Sequence, residues 1–239
     1  MLCRAGRVLC ITIKTGPESM RLFAATLLIF SFNFMTHADN SDWVLEKEEQ
    51  DIQLKIYTRE VSGSSLREFK GVMIAETNLT TLAALLLDSN AAPQWMHQCE
   101  KFEIIEQIDP LNAVIYFVNG APWPVSDRDA VISSSMLQDP ETLTLQVSVD
   151  AITGRLPKDD DYVRIPRMTG SWTFNPLAGG KVEIIYQAHV EPGGSLPAWL
   201  ANSVVVETPY HTMSNMLDMI KLTKYQQTDI PLIKNGPNN

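Results

Sequence analysis

The sequence predicts an α+β domain in which one large antiparallel β-sheet packs against a long carboxy-terminal helix. Three observations support this fold class: apolar residues alternate along many short segments, turn-forming residues separate these segments, and a long helical apolar pattern appears near the end of the chain. The chain has 239 residues, of which 45% are hydrophobic and 20% are charged. This composition is typical of a globular protein, and we expect residues 39–239 to form a single domain.

The first part of the domain alternates as half-buried strands do. Apolar side chains occupy every second position in much of the segment 43–77, and the alternation is interrupted at residues 62–65 (SGSS). Asn78 then precedes leucines at helical spacing and is suited to cap a short helix that ends before Pro93. A further helical turn is expected to carry Trp95.

The middle of the chain contains six more strand-like segments. Asp, Pro, Asn and Gly residues lie between several of them, and these residues favour turns. The predicted strands cover residues 102–108, 113–118, 130–137, 142–152, 163–174 and 181–190. Together they predict a large antiparallel sheet.

The last element is a long helix that we expect to run to about Tyr225. Ser195 is the predicted cap and Pro197 lies in the predicted first turn, where a missing N–H costs nothing. The second half of the helix has an apolar face that includes Met213 and Leu217. Pro209 interrupts the pattern, and it either bends one helix or separates two.

The amino terminus has the order of a secretory signal. Met20 and Arg21 precede the apolar run 22–35, and small residues follow as far as Ala38. We expect translation to start at Met20 and cleavage to follow Ala38, so that residues 1–38 are an extension and signal peptide of an exported, bacterial periplasmic protein. A retained amino-terminal anchor is the alternative.

The charge balance argues against nucleic-acid binding. The chain has 19 Lys and Arg residues against 28 Asp and Glu residues, and removing residues 1–38 leaves 15 against 27. A phosphate backbone demands a basic surface, which this composition does not provide. Cys99 is the one cysteine of the segment 39–239, and we expect it to be a buried filler without a chemical role.

The residues do not suggest a catalytic or metal centre. The three histidines after the signal, His97, His189 and His211, fall on different predicted elements and lack metal-ligand spacing. Residues 193–195 (GGS) do not form a nucleophile elbow, and the carboxylates at 159–161 fit a solvated loop better than a cation site. We therefore expect no catalytic residue, no metal and no cofactor.

Four blocks of sequence resemble one known family. Residues 121–129 (APWPVSDRD) resemble the P-x-P-x-S-x-R-D signature of the START family, the steroidogenic-acute-regulatory-protein-related lipid transfer domains. Trp95 fits the family's tryptophan after its first long helix. Residues 162–164 (YVR) and 191–200 (EPGGSLPAWL) fit a strand and the start of the last helix. The blocks occur in family order across nearly the whole chain after the signal.

This resemblance implies a helix-grip fold, in which a curved antiparallel sheet wraps around the carboxy-terminal helix and an apolar tunnel between them holds one lipid. It also implies binding and transfer of a lipid without catalysis. Two alternatives remain open. One is an enzyme of the wider superfamily, which would need a polar group such as Tyr116 or His211 near Arg128. The other is an envelope adaptor that senses a hydrophobic ligand.

The positions that select head groups in the family differ here. Alignment on the R-D pair places Phe117, Ala130 and Met168 at the aromatic-cage positions of phosphocholine binders and Ala92 at their arginine. The charged pair of sterol binders is also missing, with Ser134 at one of its positions. The resemblance therefore implies a mostly apolar site for a phospholipid or another long-chain amphiphile. The expected lipid-binding residues are Trp95, Phe117, Trp123, Ala130, Ser134, Met168, Trp172, Met213 and Leu217.

Arg128 and Asp129 have two interpretations. They form a structural ion pair, which we favour because an unpaired charge in an apolar tunnel is costly, or they contact a head group. Trp123 lies in a stiff, proline-flanked loop and is expected to touch a membrane transiently. In this hypothesis the methionine face around Met213 loosens to release the lipid, with Pro209 as the hinge.

Overall fold

A computed structural model describes residues 42–236 of the chain. The predicted start at Met20 and the predicted cleavage after Ala38 lie outside the described residues. The described part contains ten strands and four α-helices, and its sheet provides the framework of the fold.

The sheet has the spatial order β1-β2-β3-β10-β9-β7-β6-β5-β4, and each pairing along this path is antiparallel. The predicted antiparallel sheet is confirmed. The strand bounds are β1 Val44–Glu49, β2 Leu54–Arg59, β3 Glu68–Glu76, β4 Cys99–Asp109, β5 Asn112–Asn119, β6 Arg128–Gln138, β7 Leu145–Ala151, β8 Val163–Arg164, β9 Arg167–Leu177 and β10 Lys181–Glu191.

The strand predicted at 163–174 is divided at Ile165 and Pro166. Proline has no N–H to donate to a neighbouring strand, which disfavours a continuous central strand at this point. The short β8 instead pairs in parallel with the start of β6, and β9 then continues the main sheet.

The helices are α1 Leu79–Leu87, α2 Ala92–Trp95, α3 Ala198–Met219 and α4 Thr223–Gln226, with a 3-10 turn at Ser89–Ala91. Asn78 caps α1 as predicted, since its Oδ1 accepts a hydrogen bond of 2.9 Å from the Thr81 N–H. The predicted helical turn that carries Trp95 is α2. Within the described residues, no helix has both the length and the apolar character needed to cross a bilayer.

The long helix α3 continues through Pro209, so the two-helix interpretation is wrong. Its amino-terminal boundary also differs from the prediction. Pro197 has extended backbone and occupies the cap position, which leaves Ser195 two residues outside, and no side chain caps the helix. At the other end α3 stops at Met219, and Tyr225 belongs to the separate helix α4.

The main hydrophobic core lies where one face of the sheet meets the helices. Alternate strand residues such as Met73, Phe174 and Ile184 are fully buried there, as are Leu82 of α1 and Met216 of α3. The period of two thus places one set of strand residues against the helices, and the other set lies on the outer face.

A buried ion pair on the outer face holds β8 to the sheet. Asp129 is 0% exposed and is the register partner of Arg164. The Arg164 Nε and Nη2 atoms donate hydrogen bonds of 2.8 and 2.7 Å to the two carboxylate oxygens of Asp129. Burial, together with the charge of Asp129, raises the pKa of the neighbouring Tyr116 to about 12. The bidentate pair is therefore a structural element.

Replacing Asp129 tests this role. Asp129→Asn keeps the shape of the side chain but leaves the nearly buried Arg164 guanidinium without its counter-charge. We expect the free energy of unfolding to fall by about 3 kcal/mol or more, as for other broken buried pairs. Urea denaturation measures it. The matched control is Glu106→Gln, which removes the half-exposed partner of Arg155 and should cost at most about 1 kcal/mol. Equal losses in the two variants would contradict the assignment.

Candidate functional site

A cavity of about 230 Å³ lies between the inner face of the sheet and the first half of α3. Its wall is predominantly apolar and contains residues from seven strands as well as from α1, α2 and α3. The apolar wall residues include Phe69, Leu85, Ile115, Phe117, Ile132, Val147, Trp172, Tyr186, Leu200 and Val205.

The cavity exists because short side chains occupy inward positions on both of its walls. Gly170 and Ala188 are register partners across β9 and β10, and a Cβ added to Gly170 would lie 3.2 Å from the Cβ of Ala188. On α3, Ala201 and Thr208 also face the cavity with small side chains. Large residues at these positions would fill the space, as they do in a close-packed core.

The two halves of α3 have different surroundings. Leu200, Val205 and Thr208 of the first half line the cavity. Met213 in the second half is 0% exposed, and its Sδ lies so close to Gly71 that a Cβ there would be 2.2 Å away. Met213 and Leu217, which were predicted to bind lipid, therefore belong to the packed core instead of the cavity wall. Gly71 provides the space that Met213 occupies.

Five of the nine predicted lipid-binding residues lie on the cavity wall, and Ala130 and Trp123, like Met213 and Leu217, lie elsewhere. Those on the wall are Trp95, Phe117, Ser134, Met168 and Trp172. Ala130 is fully buried and packs with Phe117 and Ile115 instead of bordering the space. Trp123 is 91% exposed in the loop between β5 and β6.

Sequence reasoning missed several wall residues that the strand period could have revealed. Asn119 is two residues beyond Phe117 on the same face of β5 and also lines the cavity. Tyr186 lies on the wall as well, and its ring stacks on Trp172 with centroids 3.9 Å apart. Burial raises the pKa of Tyr186 to about 12, so its hydroxyl stays neutral at ordinary pH. The aromatic rings form a rigid part of the wall.

The loop between β5 and β6 borders one end of the cavity, here called the loop end. Residues 120–122 of this loop contribute to the wall, as do Pro192 and Leu196 before α3. The Ala121 N–H donates a hydrogen bond of 2.8 Å to Asp127 Oδ1, and the Val125 N–H donates one of 3.0 Å to the Pro122 carbonyl. The loop is thus held in shape, with the Trp123 side chain directed into solvent.

Arg128 and Asp129 do not pair with each other, which corrects the favoured interpretation. Adjacent strand residues face opposite ways, so Asp129 binds Arg164 on the outer face while Arg128 lines the cavity. Arg128 is 7% exposed, and its Nη1 donates to the Ser126 carbonyl. Burial lowers the pKa of this guanidinium, and the charge of Asp127 opposes that shift.

The groups considered for catalysis do not assemble around Arg128. Tyr116 packs in the outer cluster with Val118, on the face opposite to the cavity. His211 lies 3.2 Å from Glu207 Oε2 through its Nε2 atom, and its ring stacks on His97. Burial raises the pKa of Cys99 to about 11, so its thiol is protonated at neutral pH. Across residues 42–236, no three His, Cys, Asp or Glu side chains gather as metal ligands would.

Comparison with known proteins places this architecture in a family. The family model described as START domain matches residues 31–222. The uncharacterized protein PA1579 of Pseudomonas aeruginosa is 31% identical over 201 residues, which cover 84% of this chain and 96% of that protein.

Solved structures agree in fold. A STAR-related lipid transfer protein from Xanthomonas axonopodis (fragment 25–204) is 38% identical, with a TM-score of 0.69 over 76% of this chain and 99% of that one. Human STARD10 is 20% identical, with a TM-score of 0.68 over 78% of this chain and 76% of its own, and it supports the fold alone. With its antiparallel sheet, its carboxy-terminal helix and a family match over most of its length, the chain belongs to the START domain family.

Proposed function

We propose that this protein binds one lipid molecule in the cavity under α3 and carries it between membranes without catalysing a reaction. The observation that carries the proposal is the predominantly apolar cavity of about 230 Å³. Burial of each methylene group contributes about 0.8 kcal/mol, so acyl chains bind such a wall without any catalytic group. Pockets with few polar groups on an apolar wall suit this kind of ligand.

Two further observations support the proposal. The protein belongs to the START domain family, and a relative that is 38% identical over 76% of this chain is described as a lipid transfer protein. In addition, Tyr116 packs in the outer cluster and His211 is not among the wall residues, so neither group that the enzyme alternative names joins Arg128 at the cavity.

Filling the cavity tests the binding step. Ser134 faces the cavity from β6, and Ser134→Phe places an aromatic ring in the space that the lipid would occupy. We expect the bound phospholipid per protein, measured by mass spectrometry of extracted lipid after incubation with vesicles, to fall at least about fivefold.

The matched control is Ser135→Phe, one residue further along the strand and on the outer face, where the ring points away from the cavity. This variant should carry as much lipid as the unaltered protein. Undiminished lipid in a folded Ser134→Phe protein would contradict the proposed location.

The loop that carries Trp123 is the proposed membrane-contacting part. Trp123 is 91% exposed, and residues 120–122 beside it border the cavity. Tryptophan suits a membrane interface because it combines a large apolar ring with a polar N–H. Met213 and Met216 are fully buried and fix the second half of α3 in the core. The first half of α3, and not the methionine face, is therefore the proposed part that moves aside to release the lipid.

Removing the tryptophan side chain should slow transfer more than binding. For Trp123→Ala we expect the rate of phospholipid transfer between vesicles to fall roughly tenfold, the effect of losing about 1.4 kcal/mol of membrane contact. A fluorescence dequenching assay measures the rate. Leu137→Ala is the control, because Leu137 is 70% exposed at the opposite end of β6. An unaltered rate for Trp123→Ala would refute the contact.

We further propose that the protein is exported and acts in the periplasm of a bacterium. The support is the basic, apolar and small-residue order of residues 20–38. The intact mass of the protein recovered from a periplasmic extract should correspond to a chain that begins at Asp39. Recovery of the uncleaved chain from the cytoplasmic fraction alone would overturn this proposal.

A further inference from the structure

The loop end of the cavity contains a buried positive charge that forms no salt bridge among the described residues. Arg128 is 93% buried, since 7% of its surface is exposed, and its guanidinium lies on the cavity wall. Among the residues that the structure describes, no carboxylate forms a salt bridge with it. Its Nη1 donates to the Ser126 carbonyl, but its buried Nε has no hydrogen-bond partner in the protein.

A second unsatisfied polar group lies opposite this guanidinium. Asn119 is the register partner of Arg128 across β5 and β6, so the two side chains share one face of the sheet. The Asn119 Oδ1 atom is buried and has no partner, and Asn119 also lines the cavity. The wall also includes the apolar residues Phe117 and Ile165. A positively charged donor and an amide acceptor therefore lie together at the loop end of a predominantly apolar cavity.

Leaving these groups unpaired is costly. A buried polar atom without a hydrogen bond forfeits its hydration, and a buried charge forfeits much more. The neighbouring Asp127 lends some compensating charge, but its Oδ1 already accepts the Ala121 N–H. Hydrogen bonds from a guanidinium to an oxyanion are among the strongest in proteins, and a dry site strengthens them further. An occupant that supplies an oxyanion satisfies the guanidinium in the strongest way available to it.

We propose that Arg128 and Asn119 form a head-group site for an anionic amphiphile, in which the guanidinium pairs with an oxyanion and the Asn119 amide accepts a hydrogen bond from a head-group hydroxyl. The inference rests on the proposed lipid-binding function. The tail extends along β6 toward Met136, a distance of roughly 26 Å at about 3.3 Å per residue. The oxyanion is the carboxylate of a fatty acid or the phosphate of a phospholipid, since both offer the same chemistry to Arg128.

The outer surface does not provide this selectivity. The chain carries a formal net charge of −9, so its overall field repels anions. Two arginines of the described residues lie on the cavity wall, and Arg67 pairs with Glu46. Preference for an anionic head group is therefore assigned to Arg128, which forms no salt bridge, and a single substitution is able to remove it.

The test compares three ligands that share one acyl chain length. Oleate supplies an anionic carboxylate, and oleoyl lysophosphatidate supplies an anionic phosphate and a hydroxyl. Oleyl alcohol carries no charge. Calorimetric titration of the delipidated full chain, below the micelle concentration of each anion and the solubility limit of the alcohol, should show at least one anion binding at least about tenfold tighter than the alcohol, or about 1.4 kcal/mol. The anion that shows this preference identifies the source of the oxyanion. Equal affinities for all three ligands would overturn the site.

Three variants locate the preference. Arg128→Met should bind oleyl alcohol as before and lose the preference for anions, whereas Arg128→Lys should keep part of it because the positive charge remains. Asn119→Leu should weaken lysophosphatidate binding more than oleate binding, because oleate has no hydroxyl. Arg155→Met is the control, since it removes a half-exposed arginine that does not line the cavity. A tenfold preference that persists in Arg128→Met would refute the proposal.

The outcomes separate this site from the carrier function. If oleyl alcohol binds as tightly as both anions, the cavity still binds lipid and only the head-group site is wrong. If none of the ligands binds, both proposals fail. The comparison of ligands on the unaltered protein needs no variant, so it decides the matter even if Arg128→Met does not fold.

Discussion

The cavity under the first half of α3 exists because the second half of the helix is packed tightly on the sheet while short side chains lie opposite the first half. Met213 and Met216 hold the second half of the helix on the sheet, with Met213 against the bare backbone of Gly71. Opposite the amino-terminal half of α3, the register partners Gly170 and Ala188 have side chains too short to fill the space between the sheet and the helix. A tightly packed region therefore supports an adjacent region that is not filled, and the cost of the empty volume is recovered when an apolar ligand occupies it.

The opposite faces of β6 carry two neighbouring charges with different surroundings. On the outer face Asp129 is satisfied by the bidentate contact with Arg164, which fixes β8 beside the sheet. On the inner face the preceding residue, Arg128, lines the cavity, and its buried Nε has no hydrogen-bond partner in the protein. Two neighbouring charges thus have different roles because a strand alternates its side chains. The same alternation brings Asn119 opposite Arg128 on β5.

The distribution of charge and apolar surface suits a carrier that meets membranes briefly. The surface is acidic overall, which disfavours stable attachment to anionic lipids. In the proposed function Trp123 is the membrane-contacting side chain, since it is exposed at the loop end beside the wall segment 120–122. A contact through one aromatic side chain is weak enough to be reversible, as the proposed transfer between membranes requires.

The sequence by itself determined the local elements and the family. The alternation of apolar residues identified the strands, Asn78 fixed the start of α1, and residues 121–129 with three further blocks indicated the START domain. These features are local, because strand period, helix capping and motif spacing depend on residues close together in the chain. The sequence also placed Trp95, Phe117, Ser134, Met168 and Trp172 at positions that the structure finds on the cavity wall.

Only the tertiary structure decided which partner each buried group has. The continuity of α3 through Pro209, the packing of Met213 into the core and the pairing of Asp129 with Arg164 all depend on contacts between residues far apart in sequence. Helical spacing places Met213 on the apolar face of α3. It does not show whether that face meets a cavity or the backbone of a glycine such as Gly71. The adjacency of Arg128 and Asp129 in the sequence suggested an ion pair between them. In the structure Asp129 pairs with Arg164 instead, because the two side chains are close in space. Packing and charge pairing are properties of three-dimensional proximity, which a linear pattern does not encode.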